Sequence, residues 1–206
     1  MLGRFLAGAP PPTRLLLTRA GPVENPGVLY SHPGFPLSGE GRQAVLALVP
    51  ALREAGVRAV YAADSRAEAE AGALLAEGLG VPFEARPALR ERSWGAWEGL
   101  SFEEVRRRWP EEVRRWTQDE AGFAPPGGES VRAVFARSQP VLRALLTRHR
   151  GEAFLVVGNC TVNRAALALA LPFLPPEEGL RLEQDYARLS ELRFYGEDGV
   201  VGYLNR

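Results

Sequence analysis

Apolar residues along the chain follow two different spacings. Leu15-Leu16-Leu17-Thr18 and Ala153 to Gly158 are compact apolar runs of strand length, as strands buried on both faces require, and Val57 to Ala62 reads as a further strand. Between them the spacing is helical. Val45, Leu48, Val49 and Leu52 share one face of a helix predicted from Ser38, its cap, to about Ala55, with Gly56 as the stop and a kink at Pro50. Further helices are predicted from Arg66 to Gly78, from Ser101 to about Trp116, from Ser130 to near Arg150 and from Asn163 to Leu171. Pro82 to Arg86 reads as a short edge strand, and Ser190–Tyr195 and Val200–Leu204 flank Gly-Glu-Asp-Gly as a hairpin would. Strands separated by helices predict an α/β fold. It is a three-layer αβα sandwich whose central sheet is mostly parallel and ends in an antiparallel hairpin. The reading is one domain over 1–206. Residues 1–12 form a proline-bounded tail, Arg19 to Pro36 a long loop, and about 88–128 a loop-and-helix insertion over the site.

Composition narrows the chemistry. The chain has 206 residues, enough for an ordinary core, and 25 acidic residues balance 25 basic ones. That balance gives no electrostatic case for nucleic acid or an anionic membrane as partner, so any anion site must be local. Every basic residue is arginine, which excludes lysine Schiff-base and P-loop chemistry. Scarce Asn, Gln, Met and Cys fit a hot habitat or high-GC coding. Cys160 is the single cysteine, so neither an internal disulfide nor a multi-cysteine zinc site can form, and no cofactor or metal site is expected. The histidines are His32, in the long loop, and His149, placed as a partner for a helix C-terminus. No apolar run has the roughly 20 residues of a membrane span. The first dozen residues are short for a signal peptide, so a cytoplasmic protein is the expectation.

In open α/β sheets ligands bind beyond the carboxyl ends of the strands. Those positions hold Arg19-Ala20-Gly21, Asp64-Ser65-Arg66 and Gly158-Asn159-Cys160-Thr161. Two guanidiniums there could clamp phosphate or carboxylate oxygens, or could simply pair with surface acids. Trp94 and Trp97 read as core or rim packing. The arginine clusters at 106–108 and 114–115, interleaved with Glu103, Glu104, Glu111 and Glu112, read as a solvated helix face.

Five landmarks in order resemble the histidine phosphatase superfamily, the phosphoglycerate-mutase-like proteins. They are Leu17-Thr18-Arg19-Ala20-Gly21 with Glu24-Asn25-Pro26-Gly27 and the Pro36 to Ala44 segment; Arg66-Ala67-Glu68-Ala69-Glu70-Ala71; Leu89 to Gly99; Pro126-Gly127-Gly128-Glu129-Ser130; and Phe154 to Val157. The resemblance implies that fold, and a mechanism in which a histidine after the first arginine takes the phosphoryl group. A second histidine follows the last core strand, two arginines hold the phosphate, and a carboxylate protonates the leaving oxygen.

Carried over position by position, the resemblance puts phosphate binding on Arg19, Arg66 and, approximately, Asn25, and the acid role on Glu91. The nucleophile position is Ala20 and the second histidine position is Asn159. A methyl group has no lone pair to form a phospho-enzyme. Asparagine carries no charge to stabilise phosphoryl oxygens. The expectation is therefore a protein without the phosphohistidine mechanism that still binds phosphate or a phosphorylated small molecule. A homodimer is allowed but not specified. Two other readings stand beside it: an active phosphatase or mutase with a displaced nucleophile or base at Cys160, His32 or Glu91, and an interaction module with a vestigial pocket.

Overall fold

The computed structural model describes residues 10–31 and 33–206. Six strands form one mixed sheet in the order β3-β2-β4-β1-β5-β6. They are β1 (Thr13–Arg19), β2 (Val57–Ala62), β3 (Phe83–Ala85), β4 (Ala153–Gly158), β5 (Leu189–Tyr195) and β6 (Asp198–Tyr203). β1 pairs in parallel with β4, and β4 with β2, while β5 runs antiparallel to β1 and β6 to β5. The expected α/β architecture with its C-terminal hairpin is observed, and β3 lies at one sheet edge.

Alternation along the central strands divides the core between two faces. Leu15, Leu17, Tyr61, Phe154 and Val156 point toward α6 (Val131–Arg148) and α7 (Cys160–Ala170). Leu16, Val60, Leu155 and Val157 point toward α1 (Gly39–Leu46), α2 (Val49–Glu54) and α3 (Arg66–Leu79). Side chains such as Leu15, Leu16 and Leu155 are fully buried, each worth about 1.5–3 kcal/mol in apolar transfer. A separate aromatic cluster, with Trp97 and Phe123 buried against Trp94 and Trp116, holds residues 94–123 together around α4 (Phe102–Arg108) and α5 (Pro110–Gln118). A short helix, α8 (Pro176–Gly179), follows α7.

Three predicted helices have different ends. The segment from Ser38 to Ala55 is two helices, because Pro50 cannot supply an internal backbone donor and sits instead in the first turn of α2. Pro110 divides the charged helix from Ser101 in the same way, with Trp109 held out of the helical region before it, at φ −132° and ψ 60°. α7 starts at Cys160 rather than Asn163, capped by Asn159. His149 does end α6, but as a buried link: its Nε2 lies 2.8 Å from the Tyr61 hydroxyl and its Nδ1 3.0 Å from Glu152. Among the described residues no helix is long and apolar enough to cross a membrane.

Candidate functional site

A cleft of about 320 Å³ opens at the carboxyl ends of β1 and β4. The turn leaving β1 is fixed by backbone contact with α1. A Cβ on Gly21 would stand 2.4 Å from the Gly41 carbonyl oxygen, and one on Gly41 would stand 2.2 Å from that of Pro22. The Ser38 amide donates to the Pro22 carbonyl at 2.9 Å, and its hydroxyl oxygen accepts from Gly41 N at 3.0 Å, capping α1. That packing explains why small residues recur in both segments. It also sets Arg19 and Ala20 at the cleft, where Ala20 is only 4% exposed.

Arg19 is half-buried, its Nη1 donating to the Gln184 carbonyl and its guanidinium 3.9 Å from the centroid of the Tyr186 ring. Asn159, 6% exposed, has a partner at each end of its amide. Nδ2 donates to the Leu89 carbonyl at 3.0 Å and Oδ1 accepts from Val162 N at 3.0 Å. Glu91 accepts from Arg92 N at 2.7 Å and from Thr161 N at 3.3 Å, so its carboxylate lies against the N-terminus of α7, where the helix dipole favours negative charge. Cys160 lines the same wall, but burial pushes its thiol pKa up, which opposes thiolate formation.

Glu91 is held from behind. The Arg137 guanidinium bridges both oxygens of Glu129, at 2.8 and 2.9 Å, and donates to the carbonyls of Ala88 (2.9 Å) and Glu91 (3.0 Å). Glu129 also accepts from Ser93 N at 3.1 Å, and Ser130 caps α6. The Pro-Gly-Gly-Glu-Ser turn is thus a clamp on the Glu91 segment.

Arg19, Ala20, Glu91, Asn159 and Cys160 line this cleft together, and Arg66 and Asn25 are not among its lining residues. Arg66 is exposed at the first position of α3, its amide donating to the Pro33 carbonyl at 2.8 Å. Each helical position turns by about 100°, so Ser65, Ala67 and Glu68 face the cleft while Arg66 faces outward. Asn25 is exposed and closes its own turn, its Oδ1 accepting from the amides of Gly27 and Val28 at 3.0 Å. Arg66 is therefore not among the residues that line this cleft with Arg19. His32 lies outside the described residues.

Several lining groups carried no signal in the sequence. They are Tyr30, Glu120 and Tyr186, and Glu68 beyond its place in the Arg66 landmark. Arg92 could have been suspected from its place beside Glu91, and Arg164 from its place on α7. Arg164 donates to the carbonyls of Leu180 and Leu182 at 3.2 and 3.0 Å. Burial raises the Glu68 pKa, with the nearby Glu91 charge adding to it, and pushes that of Tyr30 up to about 12.

A family profile for the histidine phosphatase superfamily (branch 1) matches residues 15–206. The bifunctional protein Rv2228c of Mycobacterium tuberculosis is 35% identical over 191 residues, which are 90% of this chain and 51% of that protein. The chain thus spans about half the length of that relative. A chicken 6-phosphofructo-2-kinase/fructose-2,6-bisphosphatase is 35% identical over 137 residues, 66% of this chain and 28% of that protein. Among solved structures, Bacillus stearothermophilus YhfR superposes with a TM-score of 0.85 at 25% identity, covering 94% of this chain and 96% of its own. The mycobacterial glucosyl-3-phosphoglycerate phosphatase Rv2419c, in complex with inorganic phosphate, gives 0.79 at 25% identity, over 94% and 97%. With the landmarks in order, the fold matched and the cleft at the expected strand ends, the chain belongs to the histidine phosphatase superfamily, branch 1.

Proposed function

We propose that this protein binds phosphate or a phosphorylated small molecule in the cleft without passing it through a phosphohistidine. The observation that carries the reading is the pair of groups at the two strand ends. A buried methyl at Ala20 stands where the resemblance puts the nucleophile, and an asparagine engaged at both ends stands where it puts the second histidine. Neither can accept a phosphoryl group, and losing a nucleophile removes on the order of 10⁴–10⁶ in turnover. Oxyanion donors persist in Arg19 and Arg92. The phosphate complex of the structurally similar Rv2419c phosphatase supports phosphate as the ligand class.

The test combines calorimetry with inorganic phosphate, a phosphomonoester hydrolysis assay and intact-mass analysis. Saturable phosphate binding is expected, weakened by about tenfold to a hundredfold in Arg19→Ala through loss of a charge-assisted contact. No phosphorylated adduct should form. Hydrolysis at about 1 s⁻¹ or faster, the ordinary enzyme range, or a trapped adduct would overturn the proposal. Turnover abolished by Cys160→Ser would move the function to the displaced-nucleophile reading, which the position of Cys160 on the cleft wall favours.

A further inference from the structure

Among the described residues that line the cleft, Glu68, Glu91 and Glu120 match Arg19, Arg92 and Arg164 in number. They also act on one another: the Arg19 charge opposes the rise in the Glu68 pKa, and the Glu91 and Glu120 charges bear on Arg92. Glu91 is held in addition by the Arg92 and Thr161 amides. Two of the arginines have backbone partners as well, Arg164 on the carbonyls of Leu180 and Leu182 and Arg19 on that of Gln184. Such a cleft can take one phosphate at Arg19, but it has no surplus of positive charge for a second anionic group, which would meet the carboxylates.

The same backbone bonds build an apolar wall. They tie residues 180–184 to β1 and α7, and so bring Leu180 and Tyr186 to the cleft beside Val23 and Tyr30 from the loop after β1. Of the exposed large hydrophobic side chains among the described residues, Tyr186 alone lines the cleft, and it stays 41% exposed although the Arg19 guanidinium packs on its ring. Tyr30 is steadied by Phe35, edge-on at 5.1 Å between ring centroids, and its phenol stays protonated and uncharged at neutral pH. Val23 and Leu180 are also only half-buried. Apolar surface left open inside a cavity, next to an anion site, is surface for a ligand to cover. At about 320 Å³ the cavity is at the small end for such sites.

We infer that the cleft selects a phosphate monoester whose organic half is uncharged, apolar and about the size of one ring, and discriminates against esters that carry a second anionic group. The phosphate lies at Arg19, and the organic half covers Tyr186, Tyr30 and Leu180. This rests on the phosphate-binding reading above and adds the chemistry of the ester group. The charge balance sets the limit of one anion, and the open rings supply the affinity for what the anion carries.

The experiment compares two pairs of probes by calorimetry, with inorganic phosphate as the reference. Phenyl phosphate is expected to bind at least about tenfold tighter than glycerol 1-phosphate, as burial of a ring allows. 4-Carbamoylphenyl phosphate should bind at least about tenfold tighter than 4-carboxyphenyl phosphate, which has the same size and one more negative charge. Tyr186→Ser should reduce the preference for phenyl over glycerol phosphate to about threefold or less. Leu180→Ser is the second variant and should lower the same ratio without touching the ring that packs on Arg19. Glycerol phosphate bound as tightly as phenyl phosphate would overturn the inference while phosphate binding stands. Equal binding of the carboxyl and carbamoyl esters would overturn the limit of one anion. A phenyl preference unchanged in both variants would overturn the assignment of the wall. No binding of inorganic phosphate or of any ester would overturn the phosphate-binding reading itself, and the inference with it.

Discussion

Gly95→Ala should destabilise the protein by about 3–5 kcal/mol, in the rare tail of single substitutions. Gly95 has φ +53°, in the left-handed region that a Cβ disfavours by about 1–2 kcal/mol. The added carbon would also stand 2.3 Å from the Pro126 carbonyl oxygen and 2.4 Å from the Gly128 nitrogen. Both are backbone atoms of the turn that carries Glu129, so neither can rotate away. The Ala96 amide donates to that same Pro126 carbonyl at 2.8 Å, and any shift that relieves the overlap breaks this bond. Thermal unfolding should read a loss of about 10 °C for a chain of this size. Gly99→Ala is the control: its φ is +74° but nothing lies within 4 Å of an added Cβ, so only the conformational strain remains. Equal losses in the two variants would show that the close approach of the two turns is not what fixes the segment.

Arg137→Ala should cost about 2–4 kcal/mol, because one guanidinium satisfies a carboxylate and two carbonyls at once and its removal strands all three. The effect carries a pH signature. Hydrogen bonding from Arg137 holds the Glu129 pKa below the usual carboxylate range. A carboxyl group with a depressed folded-state pKa stabilises the fold fully above its unfolded value, and that contribution fades as pH falls toward the folded value. The gap between wild type and Arg137→Ala, measured by urea denaturation, should therefore be wide at pH 7 and narrow as the pH drops below about 4.3, the ordinary glutamate value. A gap that stays constant across this range would mean that the ion pair is not the source of the stability. The variant should also loosen Glu91, whose carbonyl is one of the stranded acceptors.

Much of the scaffold is legible in the sequence, because its signals are local. β1 and β4 announce themselves as apolar runs and β2 as one broken only by Arg58, and the sheet buries Leu15 on one face and Leu16 on the other. Ser38, Ser101 and Ser130 mark helix starts through side-chain caps that act over three residues. The cleft is legible only in part. Arg19, Ala20, Glu91 and Asn159 follow from landmark order, yet one step along α3 decides whether an arginine or an alanine faces the cavity, and the motif at Arg66 does not resolve that step. Tyr186 and Gln184 reach Arg19 from the far end of the chain, and no periodicity encodes a contact across 165 residues. Pro50 and Pro110 were visible as letters; that each starts a new helix rather than bending one depends on packing against the sheet and the aromatic cluster.

The placement of β1 has a consequence for biosynthesis. This apolar strand lies between β4 and β5, so both of its hydrogen-bonding edges are completed by segments translated more than a hundred residues later. At about 5–20 residues per second, the 165 residues between Arg19 and Gln184 take on the order of ten to thirty seconds to leave the ribosome. Until β4 emerges, for most of that interval, the nascent chain carries a finished Leu-Leu-Leu segment without either of its sheet neighbours, and a polypeptide stalled before β4 can neither shelter that segment nor complete the cleft.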